Sequence, residues 1–137
     1  MSSRDIPAPL RRQVIERASE RCEYFRMPDR LSFYPPEIDH IIARKHGGKT
    51  TLDNLARVCW RCNHHKGTDL ASFDPLTGEL TRLFHPRTDI WEEHFRLDAT
   101  HLVSDTPVGR TTIFLLRLND SERLAERALV IAADQYP

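Results

Sequence analysis

A chain of 137 residues, 39% hydrophobic and 29% charged, has the size of one ordinary domain and is too apolar to be a disordered tail. Its longest unbroken apolar run, 128–133, is six residues, whereas a membrane-spanning helix needs about 20. No apolar stretch precedes a cleavage site at the N-terminus, so neither membrane insertion nor secretion is expected. Formal net charge is zero, but residues 1–66 hold 13 Lys and Arg against 8 Asp and Glu, and the remainder holds 7 against 12. The first half is therefore the candidate anion-facing half. Arg outnumbers Lys 17 to 3, and a guanidinium forks onto a phosphate where an ammonium acts as a point charge. Three cysteines make no even disulfide framework and fit a reducing, cytoplasmic setting.

In chain order, Leu10, Val14 and Ala18 recur at four-residue steps and predict an amphipathic helix that ends near Cys22. Pro28, Pro35 and Pro36 make residues 26–36 a loop. Residues 37–42 form a short β segment that places Ile38, His40 and Ile42 on one face and Asp39 and Ile41 on the other. Gly47 and Gly48 supply a turn. A short helix opens around Cys59–Lys66 and ends at Gly67. Asp74–Gly78 is a turn between a segment at 70–73 and a strand at 79–84, and residues 90–97 read as a further strand interrupted by Glu93. Thr106-Pro107 caps a helix over about 107–118. Asn119 with Glu122 resembles a capping pair for a last helix, whose apolar side is Leu124, Ala128 and Val130 to Ala132.

Within about thirty residues the chain sets out Asp39-His40 on a β segment, Asn54 after the Gly-Gly turn, and Cys59-x-x-Cys62-Asn63-x-x-Lys66. Each feature alone is weak: a single His is usually a satisfied polar group, a single Asn near a turn usually closes an Asx-turn, and one Cys-x-x-Cys is half of a zinc site. In combination they offer a base and oxygen ligands. His40 is a base that is largely neutral at physiological pH, and Asp39 with the Asn63 carbonyl offers oxygen ligands to a hard cation. Arg44, Arg61 and Lys66 are candidate phosphate contacts. His64 and His65 are adjacent, so on a helix they point about 100° apart and cannot share one function.

The same residues, with Arg21-Cys22-Glu23-Tyr24, Lys45-His46-Gly47-Gly48 and Asp53-Asn54-Leu55 around them, resemble the HNH nuclease family, and in particular its small stand-alone bacterial members. The likeness continues through Leu83-Phe84-His85-Pro86-Arg87, Trp91 and His94-Phe95. It implies an α+β fold, a ββα-metal core over about 20–70 within a single domain spanning 1–137. An N-terminal helix precedes that core, and a small β extension with C-terminal helices follows over about 71–137. The implied activity is a metal-dependent endonuclease, with His40 activating water, Asn54 holding the loop and His40 in place, and Asp39 and Asn63 binding a divalent cation. Asn63 stands where the family name has its last His, which favours the harder Mg²⁺ or Mn²⁺, with Ni²⁺ a further candidate.

One departure concerns structural zinc. Many relatives hold it with two Cys-x-x-Cys pairs, but Phe25 stands where the second cysteine of the first pair is expected. Cys22, Cys59 and Cys62 then supply three of four ligands. Either His46, His64 or His65 completes the set, or zinc is absent and the Phe25 ring packs in its place. The implied partner is DNA, with RNA the other candidate. No recognition helix or zinc-finger array accompanies the motif, so sequence preference is weak or comes from a protein partner, and two-strand cleavage suits a homodimer. The alternative function is an HNH-like nucleic-acid-binding domain without catalysis.

Overall fold

The computed structural model describes residues 6–32 and 34–137, and its contacts divide the chain into two units that meet between Thr68 and Asp69. The first unit begins with α1 (Ala8–Arg17), which enters on Pro7 and Pro9 where a missing N–H costs nothing. Val14 on α1 is fully buried and packs with Ile6, Ile38 and Leu55, with Leu10 at the margin. The helix stops at Arg17, short of Cys22, because Ser19 and Glu20 both take positive φ, +54° and +61°, which an α-helix cannot continue through. The chain then turns into a bridge between Arg21 and Pro28 and a single helical turn at Asp29–Leu31 inside the expected loop.

Two strands follow, β1 (Glu37–His40) and β2 (Leu55–Val58), antiparallel with Asp39 opposite Ala56 and His40 opposite Leu55. All four residues of β2 are buried, and so are Ile38, Asp39, His40 and Ile41. The strand is shorter than the expected 37–42. Both faces of β1 are covered, and the strand ends at His40, leaving Ile42 38% exposed. The helix α2 (Trp60–Lys66) then starts on Cys59 and ends at Gly67, φ +53°. The unit is mixed α+β, and β1, β2 and α2 make up its ββα core.

The second unit contains the hairpin β3 (Ala71–Phe73) and β4 (Leu80–Arg82), the helical turn α3 (Trp91–His94), the hairpin β5 (Arg96–Asp98) and β6 (His101–Val103), α4 (Pro107–Leu115) and α5 (Ser121–Ala132). The strand expected over 90–97 is instead α3 followed by β5. Trp91 and Phe95 are four residues apart and both buried, with ring centroids 5.1 Å apart, so the helical period wins and Glu92 and Glu93 turn to solvent. Thr106 caps α4 as expected, its Oγ1 accepting from Gly109 N at 3.0 Å.

Asn119, by contrast, is not a cap. Its side chain pairs with the Leu102 backbone, Oδ1 accepting from N at 2.9 Å and Nδ2 donating to O at 2.8 Å, and Asp120 takes the N-cap position. The inward face of α5 also differs from expectation: it carries Arg123, Arg127 and Val130, while Leu129 is 68% exposed. Arg127 donates to Thr100 O at 2.6 Å and to Leu118 O, carbonyls that no neighbouring apolar side chain could satisfy. None of the helices among the described residues is long and apolar enough to cross a membrane.

The turn between β3 and β4 is tied by Asp74, whose carboxylate accepts from Leu76 N at 3.0 Å and from both Arg110 Nε (3.1 Å) and Nη2 (2.9 Å). The Arg110 hydrogen bond leads the effects that hold this carboxyl at about 2, below its ordinary value of 3.8. A depressed acid stabilises the fold above its ordinary pKa, and that contribution is lost as pH falls through the folded-state value. Asp74→Asn should therefore lower Tm at pH 7 and flatten the fall in Tm of the parent protein between about pH 4 and pH 2. Thermal melts across that range check it, and parallel Tm profiles would show that Asp74 contributes nothing.

Candidate active site

The site is built where the end of β1 meets α2. Two side chains on β1, separated by two residues, face two on α2, separated by three. Glu37 accepts from Asn63 Nδ2, and Asp39 Oδ2 lies 2.9 Å from Lys66 Nζ. Spacing of two along a strand and three along a helix keeps each pair on one side of its element, so these residues form two rungs between the elements. Lys66 is 2% exposed and also donates to His40 O at 3.4 Å. It is thus a buried partner of the strand and not the surface phosphate contact expected of it. Burial raises the Asp39 pKa, and the Lys66 ammonium opposes that rise.

His40 follows Asp39 and is 7% exposed. Its Nε2 lies 2.9 Å from Thr50 Oγ1, and Nδ1 has no hydrogen-bond partner among the described residues. Burial pushes the imidazole pKa below its ordinary 6.5, and the charges of Arg44 and Lys66 push the same way. The ring is consequently neutral at neutral pH.

Asn54 closes the loop that runs from His40 to β2. Its Oδ1 accepts from Ile42 N, and its Nδ2 donates to Ile42 O and Lys49 O, each at 2.9 Å. Its backbone carbonyl also accepts from Ile41 N at 2.8 Å. The loop lies so close that a Cβ on Gly48 would stand 1.7 Å from Ile42 O, an overlap that only glycine avoids. Along this loop Arg44, Lys45 and Lys49 are exposed, and Arg44 Nη2 donates to Thr50 Oγ1 at 3.2 Å. Arg61 lies over the Trp60 ring at 5.7 Å, and Trp60 meets Tyr34 with centroids 5.0 Å apart.

The Cys22, Cys59 and Cys62 sulfurs gather within 4.8 Å of one another. Cys22 opens a tight turn closed by Arg26 N to Cys22 O at 2.8 Å, and Cys59 Sγ accepts from Cys62 N at 3.5 Å. Among the described residues no His, Asp or Glu joins the three. His46 bonds to Thr68 O at 3.1 Å, and the rings of His64 and His65 meet edge to face. Phe25, in the Cys22 turn, is 3% exposed. Burial, reinforced by the neighbouring thiols, raises the Cys22 pKa well above its usual value. Three sulfurs without a fourth donor do not complete a tetrahedral zinc site.

Residues 22–69 match the family model described as HNH endonuclease. Over these residues the chain resembles HNH endonucleases. Over 58 residues it is 41% identical to the CRISPR-associated endonuclease Cas9 of Corynebacterium diphtheriae (strain ATCC 700971 / NCTC 13129 / Biotype gravis), an alignment that covers 42% of this chain and 5% of that protein. No solved structure matches the chain. In the HNH segment the structure brings Asp39, His40, Asn54 and Asn63 onto adjoining parts of β1, its loop and α2, and it keeps Cys22, Cys59 and Cys62 together as a separate cluster.

Sequence reading passed over Glu37 and Thr50 and misplaced Lys66. The spacing of Glu37 and Asp39 against Asn63 and Lys66 was a usable signal for the two rungs. Nothing in the sequence distinguishes Thr50 from any other loop threonine.

Removing the Asn54 amide strands the two Ile42 backbone groups and the Lys49 carbonyl. Asn54→Ala should cost about 1–3 kcal/mol of unfolding free energy in a urea titration. An unchanged midpoint would mean that Gly48 and the backbone hold the loop unaided.

Proposed function

We propose that this protein is a metal-dependent endonuclease that hydrolyses phosphodiester bonds in DNA, with His40 as the base. The observation that carries the reading is β1, whose end holds a buried carboxylate beside an imidazole with a lowered pKa and whose first residue, Glu37, holds Asn63. A general base has to be neutral to accept a proton, and burial together with two nearby cations keeps His40 so.

The donor set fits a hard divalent cation. Lys66 engages Asp39 through Oδ2 and leaves Oδ1 uncommitted among the described residues. A carboxylate can only accept, so the Asn63 NH₂ group faces Glu37 and the Asn63 carbonyl oxygen is turned away from it. Each residue is thus pinned through one atom and keeps one oxygen to give. Asp39 and Asn63 would hold the ion, and two protein oxygens leave room for phosphate and water, as Mg²⁺ or Mn²⁺ requires. When bound there, the cation supplies Lewis-acid stabilisation of the charge that develops on the phosphoryl oxygens.

The chain's own groups do the rest. His40 takes the proton of the attacking water, and Asn54 holds the strand end and its loop so that the imidazole is in place before substrate arrives. Arg44, Lys45 and Lys49 on that loop neutralise flanking phosphates, and the surplus of basic residues over 1–66 supports a polyanion on this unit. DNA is favoured over RNA by the likeness to a CRISPR-associated endonuclease.

Chelator-stripped protein given Mg²⁺, Mn²⁺, Ni²⁺ or Zn²⁺ singly should nick or linearise supercoiled plasmid with at least one of the harder ions. His40→Ala should abolish cleavage while binding duplex DNA as the parent does. Cleavage by the variant at the parental rate would remove His40 from the chemistry. Folded, DNA-binding parent protein that cleaves with no ion would be a binding domain and not an enzyme. Asp39→Ala should raise the metal concentration needed for half-maximal cleavage, and an unchanged requirement would overturn its assignment as a ligand.

A further inference from the structure

The imidazole of His40 has two nitrogens, and a half-turn of the ring about Cβ–Cγ exchanges each with a carbon position. A ring free to make that turn presents a C–H to the attacking water for part of the time. It also carries its single proton on either nitrogen, and only the unprotonated one can act as a base. Something has to select both the orientation and the tautomer.

Asn54 does not touch the ring; its bonds go to the Ile42 and Lys49 backbones. Of His40, Lys66 reaches the backbone carbonyl and not the ring. Among the described residues the one side chain that hydrogen-bonds the imidazole is Thr50, whose Oγ1 lies 2.9 Å from Nε2. Thr50 is itself oriented, since Arg44 Nη2 donates to the same oxygen at 3.2 Å. A hydroxyl oxygen has two lone pairs. With one occupied by the guanidinium N–H, the other is available to an Nε2–H, and Nδ1 then keeps its lone pair and has no partner among the described residues.

Resting on the reading of His40 as the base, we propose that Thr50 is its positioning residue, accepting from Nε2–H so that Nδ1 is the nitrogen presented to water. Thr50 touches neither substrate nor reacting atoms in this arrangement; it acts through the ring. Arg44 therefore serves the site from the inside, by fixing the Thr50 hydroxyl, as well as offering charge to a phosphate. The next residue, Thr51, has its hydroxyl taken up by Asp53 and cannot substitute.

Valine has the shape of threonine without the hydroxyl, so Thr50→Val removes the bond and little else. It should lower kcat for plasmid cleavage about 10- to 100-fold, the usual cost of losing the partner that orients a functional histidine. KM and duplex binding should stay at parental values, and Thr50→Ser should recover most of the loss. A long-range proton–nitrogen NMR spectrum of histidine-labelled protein reads the tautomer directly. In the parent, His40 should carry its proton on Nε2, and in Thr50→Val the two neutral forms should mix.

Parental kcat in Thr50→Val, or a parent whose His40 proton sits on Nδ1, would overturn the assignment while leaving the nuclease standing. Parent protein that does not cleave at all would bring down the nuclease reading and this one with it. The spectrum of the parent needs no variant, so a Thr50→Val protein that fails to fold does not shelter the proposal.

Discussion

The arrangement of the HNH segment depends on one buried ion pair, Lys66 with Asp39, at 2.9 Å. Neither charge could be left in that position alone, because an uncompensated buried carboxylate or ammonium is among the costliest things a small core can hold. The pair therefore couples α2 to β1: the last turn of the helix has to sit where Lys66 reaches the strand, which brings Asn63, one turn earlier, against Glu37. A buried pair of this kind contributes more to register than to net stability. Here the register it sets is that of Glu37 against Asn63 and of Asp39 against Lys66.

Around that coupling the site divides its labour by element. The strand supplies Asp39 and His40, the helix supplies Asn63, and the loop between the strands supplies the groups that hold the loop itself. Asn54 and Gly48 work as a unit in that loop: Gly48 allows the close approach to Ile42 O, and the Asn54 amide satisfies the same carbonyl. The exposed basic residues lie on the outside of this loop. A hydrogen-bonded inner edge that carries a buried imidazole, with a charged outer edge, is an arrangement suited to a polyanion.

The cysteine cluster follows a different logic. Its turn retains the close sulfur grouping of a metal-binding knuckle, but with Phe25 buried in it and three donors where tetrahedral zinc takes four. Cys22 and Cys62 are buried, and the turn is joined to β2 through Glu23, whose N–H and carboxylate pair with the Arg57 backbone. Backbone bonds thus hold the Cys22 turn to β2. The second unit uses a comparable device, placing the Arg127 guanidinium inside α5 to satisfy carbonyls at Thr100 and Leu118.

Local signals in the sequence determined a good deal. The Gly-Gly turn, the Cys-x-x-Cys helix start, the Thr106-Pro107 cap and the Asp74–Gly78 turn are short-range features whose physics is complete within a few residues, and each stands where it was expected. The order Asp39-His40, Asn54, Asn63 pointed to the family for the same reason, because spacing along the chain is preserved in any fold. What the tertiary structure alone decided was which groups share a neighbourhood. Lys66 reads as a surface cation until Asp39 is placed above it, and Asn119 reads as a cap until Leu102 offers it a backbone pair. Residues 90–97 read as a strand until Trp91 and Phe95 find one pocket. In each case the local preference was worth less than burying an aromatic pair or satisfying a buried polar group, and those terms depend on contacts that no stretch of sequence contains.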